Sequence, residues 1–165
     1  MRKLMLIFAL CILLTGCSST PTYETLGPIQ HVSDTVPQML TVHLALPEDA
    51  AQDVFYGGEN ALYECDGYIL MLQTVTSGNL SQTIASLSGF FPEKLTILES
   101  SKSGIKRYDW VWSAVGEDGD MICRASVLDD GNYHYCLSVL TSAADAGALA
   151  EEWNGIFASF CVEED

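Results

Sequence analysis

The chain has 165 residues, with 22 acidic against 7 basic side chains and a net charge of −15 at neutral pH. That length fits one domain. The charge argues against nucleic acid as a partner, because phosphates need cationic neighbours. Solubility is the plain reading of the acidity, and attraction of cations or basic partners is the functional one.

The N-terminus reads as a segment apart. Arg2-Lys3 is a short basic stretch, and Leu4 to Leu14 is an eleven-residue apolar run. Such a run is too short for an ordinary transmembrane helix. Leu14-Thr15-Gly16-Cys17 follows and resembles the lipobox of bacterial lipoprotein signal peptides. The resemblance implies a signal peptide over residues 1–16, cleavage before Cys17 and a diacylglyceryl group on its thiol. It thereby implies the extracytoplasmic face of a bacterial cell membrane. A plain secretory signal with an incidental cysteine is the competing reading. Without residues 1–16, five basic side chains face 22 acidic ones, a net charge of −17. The acyl chains would then do the anchoring, since an acidic protein gains nothing from anionic lipid. Residues 17–38 are rich in Ser, Thr, Pro and Gln without apolar periodicity and read as a flexible tether.

From residue 39 to 165 the pattern is that of a single domain. Met39 to Leu46 alternates as a strand, and Pro47 ends it. Glu48 to Asp53 reads as one helical turn. Ala61 to Cys65 and Tyr68 to Val75 form a hairpin about Asp66-Gly67. Ser77-Gly78-Asn79 is a turn, and Leu80 to Leu87 a short helix closed by Gly89 and Pro92. Leu95 to Ser100 is a strand, and Ser101 to Gly104 a polar turn.

Residues 105–160 organise the rest. Ile105 to Val115, Met121 to Leu128 and Tyr133 to Leu140 are three antiparallel strands, separated by Gly116 to Asp120 and by Asp129-Asp130-Gly131-Asn132. With Asp130-Gly131 at the centre of a two-residue turn, Leu128 faces Tyr133, Ala125 faces Cys136 and Cys123 faces Ser138. One face then carries Val111, Ser113, Cys123, Ala125, Val127, His134, Cys136 and Ser138. The other carries Tyr108, Trp110, Trp112, Ile122, Leu128, Tyr133, Tyr135, Leu137 and Val139. Ser142 to Asp145 resembles a capping box, and Leu149, Trp153, Ile156, Phe157 and Phe160 make the apolar stripe of a long last helix. The small-residue face would admit this helix closely, and the short middle helix would cover part of the bulky one. Glu163 to Asp165 reads as a solvated tail.

Four cysteines follow Cys17, and an exported chain permits two disulfides. Cys123 and Cys136 lie diagonally at about 7–8 Å, too far to bridge. Cys161 returns near the start of the third of these strands, which favours Cys136–Cys161 and leaves Cys65–Cys123. A metal site is the alternative, but no C-x-x-C or clustered His spacing supports it.

Hairpin-joined strands with helices apart in sequence make an α+β domain with an antiparallel sheet of roughly seven strands. The order of elements resembles the PsbP-like fold, an antiparallel α/β/α sandwich. The resemblance rests on Leu44-Ala45-Leu46-Pro47, on Tyr133 to Val139 and on Ile156-Phe157-Ala158-Ser159-Phe160. It implies a fold and transfers no functional residue, because members act as assembly factors, ligand-binding modules and proteins of unknown role.

No catalytic constellation or cofactor motif emerges. His134 and Asp109 share a face, but two strand spacings, roughly 10 Å, separate them. Trp110, Trp112 and Tyr135 would form an aromatic ligand face suited to a glycan, with core packing as the competing reading. Glu117 to Asp120 and Asp129-Asp130 offer carboxylates without the full spacing of a calcium loop. Lys94, Lys102, Lys106, Arg107 and Arg124 would make a small positive patch, or simply surface scatter. The leading expectation is a lipid-anchored, extracytoplasmic, non-enzymatic module that binds a partner protein or an envelope component. The alternative is a small-ligand, cation or glycan-binding lipoprotein, and a weak hydrolase or redox protein ranks third.

Overall fold

The computed structural model describes residues 36–53, 60–117 and 119–163. The lipidation site expected at Cys17, the signal segment and most of the tether lie outside the described residues. A compact unit runs from Pro37 onward.

Among its described residues are nine strands, two α-helices and a 3-10 turn at Pro92–Lys94. The strands and α-helices are β1 (Thr41–His43), β2 (Ala51–Gln52), β3 (Asn60–Cys65), β4 (Tyr68–Thr76), α1 (Leu80–Ser88), β5 (Leu98–Lys102), β6 (Ile105–Gly116), β7 (Gly119–Asp129), β8 (Tyr133–Ser142), α2 (Ala146–Ser159) and β9 (Cys161–Glu163). Seven strands form one antiparallel sheet in the order β2-β3-β4-β8-β7-β6-β5. The α+β class and the antiparallel sheet are as the sequence indicates. The first expected strand is shorter than its alternation implies, and it leaves the main sheet to pair with β9. The presumed tail at Glu163 is therefore a strand residue. The stretch read as a helical turn at Glu48 is a turn closed by the Ala50 N–H on the Pro47 carbonyl, followed by β2.

Local chemistry explains the turns. Gly67 takes φ +80° in the β3–β4 hairpin, a conformation that strains residues with a Cβ. Asn79 caps α1 by accepting the Ser81 N–H, and Gly89 ends that helix in the left-handed region. At α2 the expected box is displaced. Asp145 N–H donates to Ser142 Oγ, which donates back to the Asp145 carboxylate, and the helix starts at Ala146.

Two register differences reorganise the faces. Between β7 and β8 the loop has four residues, because Asp130 Oδ1 accepts the N–H groups of Asn132 and Tyr133 while Asp129 Oδ1 accepts that of Gly131. Leu128 therefore faces Tyr135, Ala125 faces Ser138 and Cys123 faces Leu140. That two-residue slip preserves the facing of both strands. Between β6 and β7 the loop is shorter than expected, with Gly116 opposite Gly119. The result is a slip of odd parity, which sends every β6 side chain to the other face.

Each helix consequently covers the face assigned to the other. α2 packs Trp153, Ile156 and Phe157, with its C-cap Phe160, on Tyr68, Leu70, Leu128, Tyr135, Leu137 and Val139. α1 packs Ile84 over Tyr108, Trp110, Ala125, Val127 and Cys136. Truncating a core aromatic such as Phe157 would cost about 3–5 kcal/mol. Arg107 locks the end of α2 to the sheet. Its guanidinium donates to both Asp109 carboxylate oxygens at 2.8 and 2.9 Å and to the carbonyls of Phe157 and Phe160.

Candidate partner-binding edge

β6 is twelve residues long, but β5 accompanies it only from Ile105 to Asp109. From Trp110 to Gly116 its outer side has no strand partner among the described residues. The two hairpins on either side fix which backbone groups point outward. Lys102 pairs with Ile105 across Ser103-Gly104, and Gly116 pairs with Gly119 across residues 117–118. Pairs that flank a two-residue loop exchange both hydrogen bonds, and bonded pairs then alternate along the ladder. Trp110, Trp112, Ala114 and Gly116 therefore bond to β7. The N–H and C=O groups of Val111, Ser113 and Val115 point outward, and no bond to another described residue satisfies them.

Apolar side chains flank this row. Val111 is 58% exposed and Val115 86%, on the face that carries α2. Leu98, at the end of β5 and on the same face, is 69% exposed. A groove runs beside the strand between Val111, Trp112 and Ser113 on one side and Phe90, Lys94, Leu95 and Thr96 on the other. Phe91, next to it in sequence, is 62% exposed. An open edge of this kind accepts an added strand. The backbone supplies affinity, and alternate side chains supply selectivity.

The residues singled out in the sequence fall elsewhere. Trp110 and Trp112 stack at 6.1 Å on the α1 face, while Tyr135 is buried on the α2 face. The expected aromatic ligand face therefore does not form. Asp109 lies on the α2 face with Arg107, and His134 on the α1 face, so they do not pair across the sheet. His134 is 1% exposed. Its Nδ1 lies 2.8 Å from Thr83 Oγ1 and its Nε2 3.3 Å from Ser77 Oγ, which ties α1 and the preceding turn to β8. Burial holds its pKa below the ordinary histidine value against the pull of Asp129 and Asp130. Asp129 approaches only to 3.9 Å and on the same nitrogen as Ser77, so no nucleophile–base–carboxylate relay is formed.

All four cysteines in this unit are free thiols. Cys65 and Cys161 lie on the α2 side, while Cys123 and Cys136 lie on or at the α1 side. The expected pairs Cys136–Cys161 and Cys65–Cys123 would each have to cross the sheet, because α2 covers the face opposite the one that carries Cys123 and Cys136. Burial pushes the Cys136 thiol up to about 12. Arg107 and Arg124 are committed internally, the latter to Asn154 and the Phe157 ring, so the expected basic patch is dispersed. Asp130 spends its carboxylate on its own loop and on the Tyr135 hydroxyl. No three His, Cys, Asp or Glu side chains converge to hold a metal among the described residues. The open edge was missed because strand-length mismatch between β5 and β6 is legible only once the turns are placed.

Among solved structures, cyanobacterial PsbP (CyanoP) of Synechocystis sp. PCC 6803 aligns with 83% of this chain and 100% of its own. Its TM-score is 0.53 and its identity 11%. The fold is PsbP-like. LpqN, involved in cell envelope biogenesis of Mycobacterium tuberculosis, aligns with 78% of this chain and 87% of its own, at 10% identity and a TM-score of 0.49. No family model and no curated protein matches the sequence. A likeness at these identities concerns the fold alone.

Proposed function

We propose that this chain is a lipid-anchored, extracytoplasmic, non-enzymatic module that binds a protein partner along the outer edge of β6. The open backbone row of Val111, Ser113 and Val115, with its exposed valines, carries the reading. The Leu14-Thr15-Gly16-Cys17 motif supports the anchor, and the PsbP-like fold is compatible with a binding role. The domain's chain enters at one end of the sheet, where the Tyr133 hydroxyl donates to the Pro37 carbonyl and the Tyr135 hydroxyl accepts the Leu40 N–H.

Two labels test the reading in cells producing the full chain. Labelled palmitate should enter the wild type and not Cys17→Ala. A photo-crosslinking side chain at position 113 should capture protein, and one at position 82, on the exposed side of α1, should not. Palmitate in both forms would remove the anchor, and equal capture at both positions would remove the edge.

A second reading has one specific observation behind it. A cavity of about 500 Å³ lies between the β5–β6 hairpin and the end of α2. Ile105, Leu128 and Phe160 line it, and its charged lining residues are Lys102, Arg107 and Glu163. This combination suits a small anionic ligand with an apolar body. Lys102→Glu would abolish such binding and leave capture at position 113 intact.

A further inference from the structure

The open segment of β6 is complementary to itself. We propose that it pairs with a second copy of this chain, antiparallel, about a two-fold axis through Ser113. This rests on the reading of the β6 edge as a docking site and names its occupant.

The sequence from Trp110 to Gly116 is Trp-Val-Trp-Ser-Ala-Val-Gly. A two-fold axis at Ser113 places Val111 opposite Val115 of the second copy, and Val115 opposite its Val111. It places Trp112 opposite Ala114 of the second copy, a large side chain beside a small one. Ser113 meets Ser113. The three outward-pointing residues of each copy are those that become bonded pairs, so the open N–H and C=O groups of both edges are satisfied together. The open window also ends correctly. β5 occupies the edge up to Asp109, and β6 turns back after Gly116. Residue 110 is the partner of residue 116 under the axis, so the paired window stops one residue short of Asp109, where β5 takes the edge.

The groove borders agree with this occupant. Phe90, Lys94, Leu95 and Thr96 stand beside Val111 to Ser113, where the second copy brings Ser113 to Val115, residues of small side chain apart from Val115. Lys94 makes no ion pair among the described residues. An unrelated strand would need none of this palindromic match. The net charge opposes association, so pairing should strengthen as salt screens the acidic surfaces. Nineteen residues lie between Cys17 and Pro37, and those twenty steps reach roughly 66–72 Å when extended, enough for both anchors to meet one membrane.

The test uses the full chain in its own membranes, in a Cys161→Ser background that removes the exposed thiol. Directly opposed bonded residues have Cα atoms about 5.5 Å apart, within the range of a disulfide. Mild oxidation should convert Ser113→Cys to a reducible dimer of twice the chain mass, and Gln82→Cys should stay monomeric. Val115→Lys added to Ser113→Cys should cut the dimer at least tenfold, with the circular dichroism spectrum unchanged to show folding. Unsubstituted protein in detergent should move from monomer toward dimer between 20 and 500 mM salt, roughly the span over which screening lengths shrink from about 20 to 4 Å. If Ser113→Cys stays monomeric while the photo-crosslinker at 113 captures another protein, the second copy is wrong and the docking edge stands. If neither forms an adduct, both fall.

Discussion

Asp109 faces Leu98, and it is the last residue of β6 to have a partner on β5. The docking edge proposed for this protein is the seven residues beyond it, which among the described residues keep a strand neighbour on one side only. Their alternation is testable by backbone chemistry. Proline at Ser113 deletes an outward N–H and no β7 bond, so it should cost about 1 kcal/mol or less. Proline at Ala114 deletes a ladder bond and should cost about 3 kcal/mol or more. Urea unfolding of the two variants reads the difference directly, and equal costs would reverse the assignment of outward groups.

Arg107 is a clamp rather than part of an anion site. It pairs bidentately with Asp109 and holds two carbonyls at the end of α2. Lysine cannot reproduce that fork. Arg107→Lys should destabilise the fold by about 1–3 kcal/mol, the cost of leaving such groups unpaired. Thermal melting would show it. Lys102→Ala, on an exposed strand position, should leave the melting temperature within a degree or two.

His134 should make stability fall in mild acid. Burial lowers its pKa in the folded state below the ordinary value of about 6.5. The unfolded chain therefore binds the proton first as pH drops, and stability is lost from about pH 6.5 downward until the folded pKa is passed. Unfolding free energies at pH 7.5 and 5.5 should differ more for the wild type than for His134→Gln, which can still bond to Thr83. An unchanged difference would mean that another group governs this window.

Thiol reactivity should divide the cysteines by exposure. Cys161 is exposed, whereas Cys136 is buried with its pKa pushed up to about 12 and Cys123 is buried with its pKa raised. In native protein a maleimide should modify Cys161 within minutes. Cys123 and Cys136 should react only on unfolding. Peptide mapping after brief labelling distinguishes them, and rapid labelling of Cys136 would contradict the α1 packing.

Much of this fold is legible in the sequence, for reasons that are local. The hairpin at Asp66-Gly67, the caps of α1 and the stripe from Leu149 to Phe160 each follow from chemistry within a few residues. The facing of β6 is less accessible. It depends on whether the bend after Val115 contains five residues or two, and Gly116, Glu117, Gly119 and Asp120 suit either. The short loop wins and sends Trp110 and Trp112 under α1, away from Tyr135. The β7–β8 register turns on the Asp129 and Asp130 side chains, which build a wider loop than their sequence neighbours suggest. The disulfide expectation failed because α2 lies on the face opposite the one expected, which puts Cys161 and Cys136 on different sides of the sheet. The strand at Cys161 to Glu163 was hidden because its partner, Thr41 to His43, lies far away in sequence.

The most direct measurement is hydrogen exchange at single-residue resolution along β6 of the full chain, in native membranes and in dilute detergent. In dilute detergent Val111, Ser113 and Val115 should exchange within seconds, while Trp112 and Ala114 stay protected by β7. In membranes all five amides should be protected, as an added strand requires. Protection of Ser113 in dilute protein, or fast exchange of Ser113 in membranes, would contradict a β6 edge that is open in the monomer and filled in the cell.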